Sequence, residues 1–114
     1  WRMETEPVPR HVANHKFFNK KKTNCLFIAP EIHDETVTEF CRFANGKKFP
    51  VKQDKIDFHI VPISVAEFHT IWKKCIMDKN TSKKWIKIVS DLHKISNIDP
   101  QKWRLAIQTY VNGL

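Results

Sequence analysis

The chain has 114 residues, a mass of 13.5 kDa, 41% hydrophobic residues and a formal net charge of +8. That length bounds it to one domain or part of one, and the apolar content excludes a disordered chain. With 2 Gly, collagen-like and glycine-rich classes are excluded, and no window of 18 consecutive apolar residues marks a membrane-spanning helix. Trp1 opens the chain with no apolar leader after it, so the sequence reads as a piece of a longer polypeptide. A pI near 9.6 points to an acidic partner, with nucleic acid first. The bland alternative is a protein that is basic by chance. The charge is spread along the chain, +3 over residues 1–57 and +5 over residues 58–114. Cys25, Cys41 and Cys75 are odd in number and widely spaced, without a CxxC pair. They read as small core fillers in a reducing, cytoplasmic compartment, not as disulfides or zinc ligands.

In chain order, Pro7 and Pro9 break any helix that runs through them. Val12, Ala13 and Phe17 then recur at helical spacing, which predicts a helix over 9–20. Glu4 and Glu6 fall at its positive end, and Lys20, Lys21 and Lys22 at its negative end. The short apolar run Cys25–Ala29 predicts a strand buried on both faces of a parallel or mixed sheet. Asp34 is the expected N-cap of a helix over 34–45, whose stripe is Val37, Phe40, Cys41 and Ala44 and which Asn45-Gly46 ends. Residues 46–55 read as a polar loop, and residues 56–61 as a second strand that Pro62 stops. Ser64 and Glu67 form a capping box opening a helix with Val65, Phe68, Trp72 and Cys75/Ile76 on one face. The stretch 78–81 breaks it. A further helix from about Ser82 carries Trp85, Ile88, Val89 and Leu92. Asp99-Pro100 starts the last one, with Trp103, Ala106/Ile107 and Tyr110 inward and Gly113 at its end.

A strand–helix–strand order implies two parallel neighbours. Two strands do not make a stable sheet alone, so further strands are expected from outside the chain, ahead of Trp1.

Catalytic motifs are sparse. There is no HExxH, no phosphate-cradling glycine loop and no Ser-His-Asp spacing. His11 and His15 stand four apart, as a metal pair would, but nothing close in sequence completes a site, so an ordinary pair is the better reading. His59 reads as a satisfied core imidazole, and His33 and Asp34 as a helix start. Glu4, Glu6, Arg10 and His11 form the most suggestive cluster. Carboxylates can hold Mg²⁺, while Arg and His can meet a phosphate. Lysine pairs such as Lys73-Lys74 and Lys83-Lys84 read as solvated faces. Lys20–Lys22 and Lys47-Lys48, in or beside loops, could meet phosphates non-specifically.

Three blocks in order carry a family resemblance: Met3-Glu4-Thr5-Glu6-Pro7-Val8-Pro9-Arg10-His11, Cys25-Leu26-Phe27-Ile28-Ala29-Pro30-Glu31-Ile32 and Ile60-Val61-Pro62-Ile63-Ser64-Val65-Ala66-Glu67-Phe68. Over roughly residues 2–72 the chain resembles the C-terminal part of the cleavage domain of AlwI-like type IIS restriction endonucleases and their nicking relatives. It is more distantly similar to the FokI nuclease domain. The resemblance implies an α/β fold: the C-terminal part of a PD-(D/E)xK mixed sheet flanked by helices over 1–72, then a helical extension over 73–114 packed on the same domain. It implies Mg²⁺-dependent hydrolysis of DNA phosphodiester bonds, with the metal-binding Asp and Glu on strands upstream and none of the main ligands in this chain. The chain alone is then expected to be inactive. By the same resemblance Glu4 is an auxiliary catalytic acid, with Arg10 and His11 near the scissile phosphate or supporting Glu4. Lys16, Lys20, Lys21 and Lys22 are the expected nucleic-acid contacts. The implied partners are double-stranded DNA, the upstream part of the nuclease domain and a second cleavage subunit, with no membrane. The competing reading is a non-catalytic basic α/β module that binds nucleic acid or a protein.

Overall fold

The computed structural model describes residues 24–46, 49–51, 54–56 and 59–114. The predicted helix over 9–20 lies outside them, and with it Glu4, Glu6, Arg10, His11, Lys16, Lys20, Lys21 and Lys22.

The described elements run β1 (Asn24–Ala29), α1 (Asp34–Ala44), β2 (Phe49–Val51), β3 (Asp54–Ile56), β4 (His59–Ser64), α2 (Val65–Ile76), α3 (Thr81–Lys94) and α4 (Pro100–Asn112). β1 and β4 pair in parallel with Asn24 opposite His59 and Ala29 opposite Ser64, as the strand–helix–strand order predicts. Burial differs between the two. Ile60, Val61 and Ile63 of β4 are fully buried, whereas β1 is only half-buried and Ile28 is 41% exposed. The expectation that β1 is buried on both faces is therefore corrected in degree: Cys25, Leu26 and Phe27 are only partly buried where they pack against the core, and Ile28 is exposed.

Three further expectations change. Residues 46–55 are not one loop, because Phe49–Val51 and Asp54–Ile56 form an antiparallel hairpin. Pro62 does not stop its strand. It sits inside β4 opposite Phe27, with β1 the strand's single described neighbour. A proline is tolerated where its missing N–H would face away from the ladder. Asp34 is not the N-cap of α1. His33 takes that place without a side-chain cap bond, and Asp34 and Glu35 occupy the first turn, where the helix dipole favours acids. The other end of α1 is as expected: Asn45 caps it, and Gly46 follows at φ 108°, a conformation open to glycine.

The core joins Val37, Phe40 and Cys41 of α1, β4, and Ile71, Ile88, Leu92, Trp103, Ile107 and Val111 of the three C-terminal helices. Phe27 reaches Phe40 edge-on at 5.4 Å. Trp103 is fully buried, and its indole N–H donates to the Ile95 carbonyl at 3.2 Å. Helix α2 is rotated from its sequence-derived stripe. Ile71 and Cys75 are buried, while Val65, Trp72 and Ile76 are about half exposed. Phe68, on the predicted stripe, packs edge-on against Trp85 of α3 at 6.1 Å. In α4 the buried line is Trp103, Ile107 and Val111, with Tyr110 at its flank, donating to Asp91 at 2.9 Å.

Polar bonds pin distant segments together. Asn45 Nδ2 donates to the Asn97 carbonyl at 3.0 Å, and the Cys41 thiol donates to the same carbonyl at 3.3 Å. His93 of α3 meets the backbone of Cys25, its Nε2 lying 3.2 Å from the N–H, while its Nδ1 lies 2.8 Å from the Val89 carbonyl. No described helix is long and apolar enough to cross a membrane.

Candidate functional cleft at the carboxyl ends of the parallel strands

Open α/β sheets gather ligands where parallel strands end and helices begin. Here β1 ends at Ala29 and β4 at Ser64, side by side, and helices α1 and α2 start within a few residues. A cleft of about 520 Å³ opens at this end. Glu31 and Asp34 come to it from the β1–α1 connection, Ser64 and Glu67 from the start of α2, and Gln101, Arg104 and Gln108 from α4.

The start of α2 is built as the sequence predicts. The Ser64 hydroxyl accepts the Glu67 N–H at 3.1 Å, and Glu67 Oε1 accepts the Ser64 N–H at 2.7 Å. The capping glutamate has a second task that its motif does not announce. Arg104 donates to it twice, from Nη2 to Oε1 at 2.7 Å and from Nη1 to Oε2 at 3.0 Å. The two side chains are 13% and 11% exposed. A planar fork on a carboxylate is the strongest common ion-pair geometry, and it locks α4 across the mouth of β4.

This arrangement limits what the cleft can do. Glu67 is already neutralised, while Glu31 and Asp34 on the rim are exposed carboxylates. The rim therefore repels a phosphate. It does not fit a magnesium ion either: among the described residues no group of three His, Cys, Asp or Glu side chains could hold a metal. The cleft offers hydrogen bonds from the amides of Gln101 and Gln108 and from the remaining N–H groups of Arg104, and it joins α2 to α4.

The other candidates resolve in different ways. His59 is not the satisfied imidazole expected. Its Nε2 is buried with no hydrogen-bond partner among the described residues. The ring stacks near Trp103 at 6.0 Å and meets His93 edge-on at 5.2 Å. Burial first, then the neighbouring His93, lowers its pKa to about 4, so it is neutral at pH 7. All three cysteines are unpaired, and burial raises each thiol pKa, which removes them as nucleophiles. Cys41 and Cys75 are the expected core fillers, and Cys25 is half-buried. Glu4, Arg10, His11 and Lys16, Lys20, Lys21 and Lys22 lie outside the described residues. Sequence reasoning missed Arg104. A lone arginine 37 positions from its partner carries no local pattern, and only Glu67 was visible, as a cap.

The described residues thus define an α/β protein with a parallel strand pair, a capped helix at the strand ends and a basic composition. The family profile of the AlwI restriction endonuclease matches residues 1–71, which includes β1, α1, β4 and most of α2. The chain belongs to that family of DNA-cleaving enzymes. No curated protein and no solved structure gives a match.

Proposed function

We propose that the protein is the part of a Mg²⁺-dependent type IIS restriction or nicking endonuclease that completes its cleavage domain. The observation that carries this reading is the family match over residues 1–71. The parallel pairing of β1 with β4 across α1 suits a mixed sheet of the PD-(D/E)xK kind. On this reading, as the family resemblance implies, the magnesium ligands belong to an Asp and a Glu on upstream strands of the same sheet. Glu4 serves as an auxiliary acid, Arg10 and His11 stand near the scissile phosphate, and Lys16 and Lys20–Lys22 contact the DNA backbone. A second cleavage subunit cuts the other strand, and the enzyme works in the cytoplasm.

The test is Glu4→Ala in the complete enzyme, with cleavage and DNA affinity measured separately. A group acting on the reaction costs about 10²-fold or more in cleavage rate with little change in affinity. Equal losses in both, or full activity, would remove Glu4 from the active site. Cleavage that persists in chelator would remove the metal.

A further inference from the structure

Helices α2 and α3 form an antiparallel hairpin turned by Met77–Asn80 and held by the Phe68–Trp85 contact. Its corner collects Lys73, Lys74, Lys79, Lys83 and Lys84 within twelve residues, against a single acid, Asp78. The Asp78 carboxylate is turned into the loop, where it accepts the Asn80 N–H at 2.9 Å. Lys73, Lys74, Lys79 and Lys83 are exposed, and Lys84 is half-buried. Among the described residues none of the five has an ion-pair partner, whereas Lys87, one turn further on, is paired with Asp91 at 3.0 Å. The chain turn between α2 and α3 thus brings the lysines of one helix end and of the next helix start to the same corner of the molecule.

Helix stability does not account for this placement. Lys73 and Lys74 in the last turn of α2 suit its negative end. Lys83 and Lys84 lie in the opening turns of α3, which has no acid in its first turn. There the dipole is positive and disfavours cations. A rigid corner with a net charge of +4, unpaired and reinforced by a helix N-terminus, is complementary to a polyanion with regularly spaced charges. The carboxylate-rimmed cleft at the strand ends has the opposite sign, so the two surfaces cannot share one ligand group.

We propose that the α2–α3 corner is a sequence-independent contact for the phosphate backbone of duplex DNA, its five lysines all lying beyond the family-matched stretch 1–71. It rests on the reading that this protein acts on DNA. Phosphate contacts release counterions, so each lost lysine contact lowers the slope of log affinity against log salt by about 0.9.

The experiment is fluorescence anisotropy of the full chain on a labelled duplex of arbitrary sequence, in chelator, from about 50 to 200 mM salt. The triple variant Lys73→Gln/Lys79→Gln/Lys83→Gln is compared with Lys73→Arg/Lys79→Arg/Lys83→Arg and with the exposed control pair Lys94→Gln/Lys102→Gln. The glutamine triple should lose about two to three units of salt slope and about tenfold or more in affinity. The arginine triple should retain both, and the control pair should change the slope by less than about one. An unchanged slope and affinity in the glutamine triple overturns this surface and leaves the family assignment standing. An equal loss in the control pair shows the contact to be diffuse charge and also overturns it. A wild-type chain with no DNA affinity at any salt overturns both the surface and a DNA-binding role for this part of the enzyme.

Discussion

The Glu67–Arg104 pair should behave as a buried clamp whose strength is measurable by a double-mutant cycle. Arg104→Met removes two charge-assisted hydrogen bonds and leaves the Glu67 carboxylate 11% exposed with only the Ser64 N–H to stabilise it. Breaking a buried pair from one side costs about 3–5 kcal/mol, and the residual exposure of both partners puts this one near the lower limit, about 3 kcal/mol. Glu67→Gln keeps an acceptor for Ser64 but strands the guanidinium, for about 2–3 kcal/mol. The double variant leaves no unpaired charge, so it should cost less than the sum, with a coupling of about 2 kcal/mol. Urea unfolding of the four proteins gives these values from the midpoints at constant slope. A coupling below about 0.5 kcal/mol, the value of an exposed surface pair, would refute the clamp.

Three other outcomes follow from the packing. Protonation of His59 is resisted in the folded state, where its pKa is about 4 against 6.5 when unfolded. The unfolded chain binds the extra proton first, so this contribution is intact above pH 6.5 and is lost as pH falls toward 4. Discounted for a half-buried ring, the loss is about 1–2 kcal/mol; it should vanish in His59→Phe, and identical pH profiles for the two proteins would contradict it. The rotation of α2 predicts that Ile71→Ala costs about 2–5 kcal/mol while Ile76→Ala costs under about 1 kcal/mol, as read by thermal or urea unfolding. The reverse order would restore the sequence-derived stripe. Gly46→Ala should destabilise by about 1–2 kcal/mol although the space around it is open, since φ 108° is strained for any residue with a Cβ. A neutral substitution would show that the turn relaxes freely.

The sequence by itself determined the features whose causes are local. Ser64 with Glu67, and Asp99 with Pro100, announce helix starts because a side chain and a backbone N–H a few residues apart satisfy each other wherever the chain goes. The parallel pairing of β1 and β4 was legible because a helix between two apolar runs leaves little other topology. The family blocks were legible for the same reason, being contiguous. What the tertiary structure decided are relations between distant residues. Whether Ile71 and Cys75 or Trp72 and Ile76 of α2 would face inward was settled only by packing, and the polar stretch after Gly46 turned into a hairpin only by pairing with itself. Arg104 finds Glu67 across 37 positions, and His59 Nε2 is left without a hydrogen-bond partner among the described residues, between His93 and Trp103, because packing brings together groups that no periodicity links.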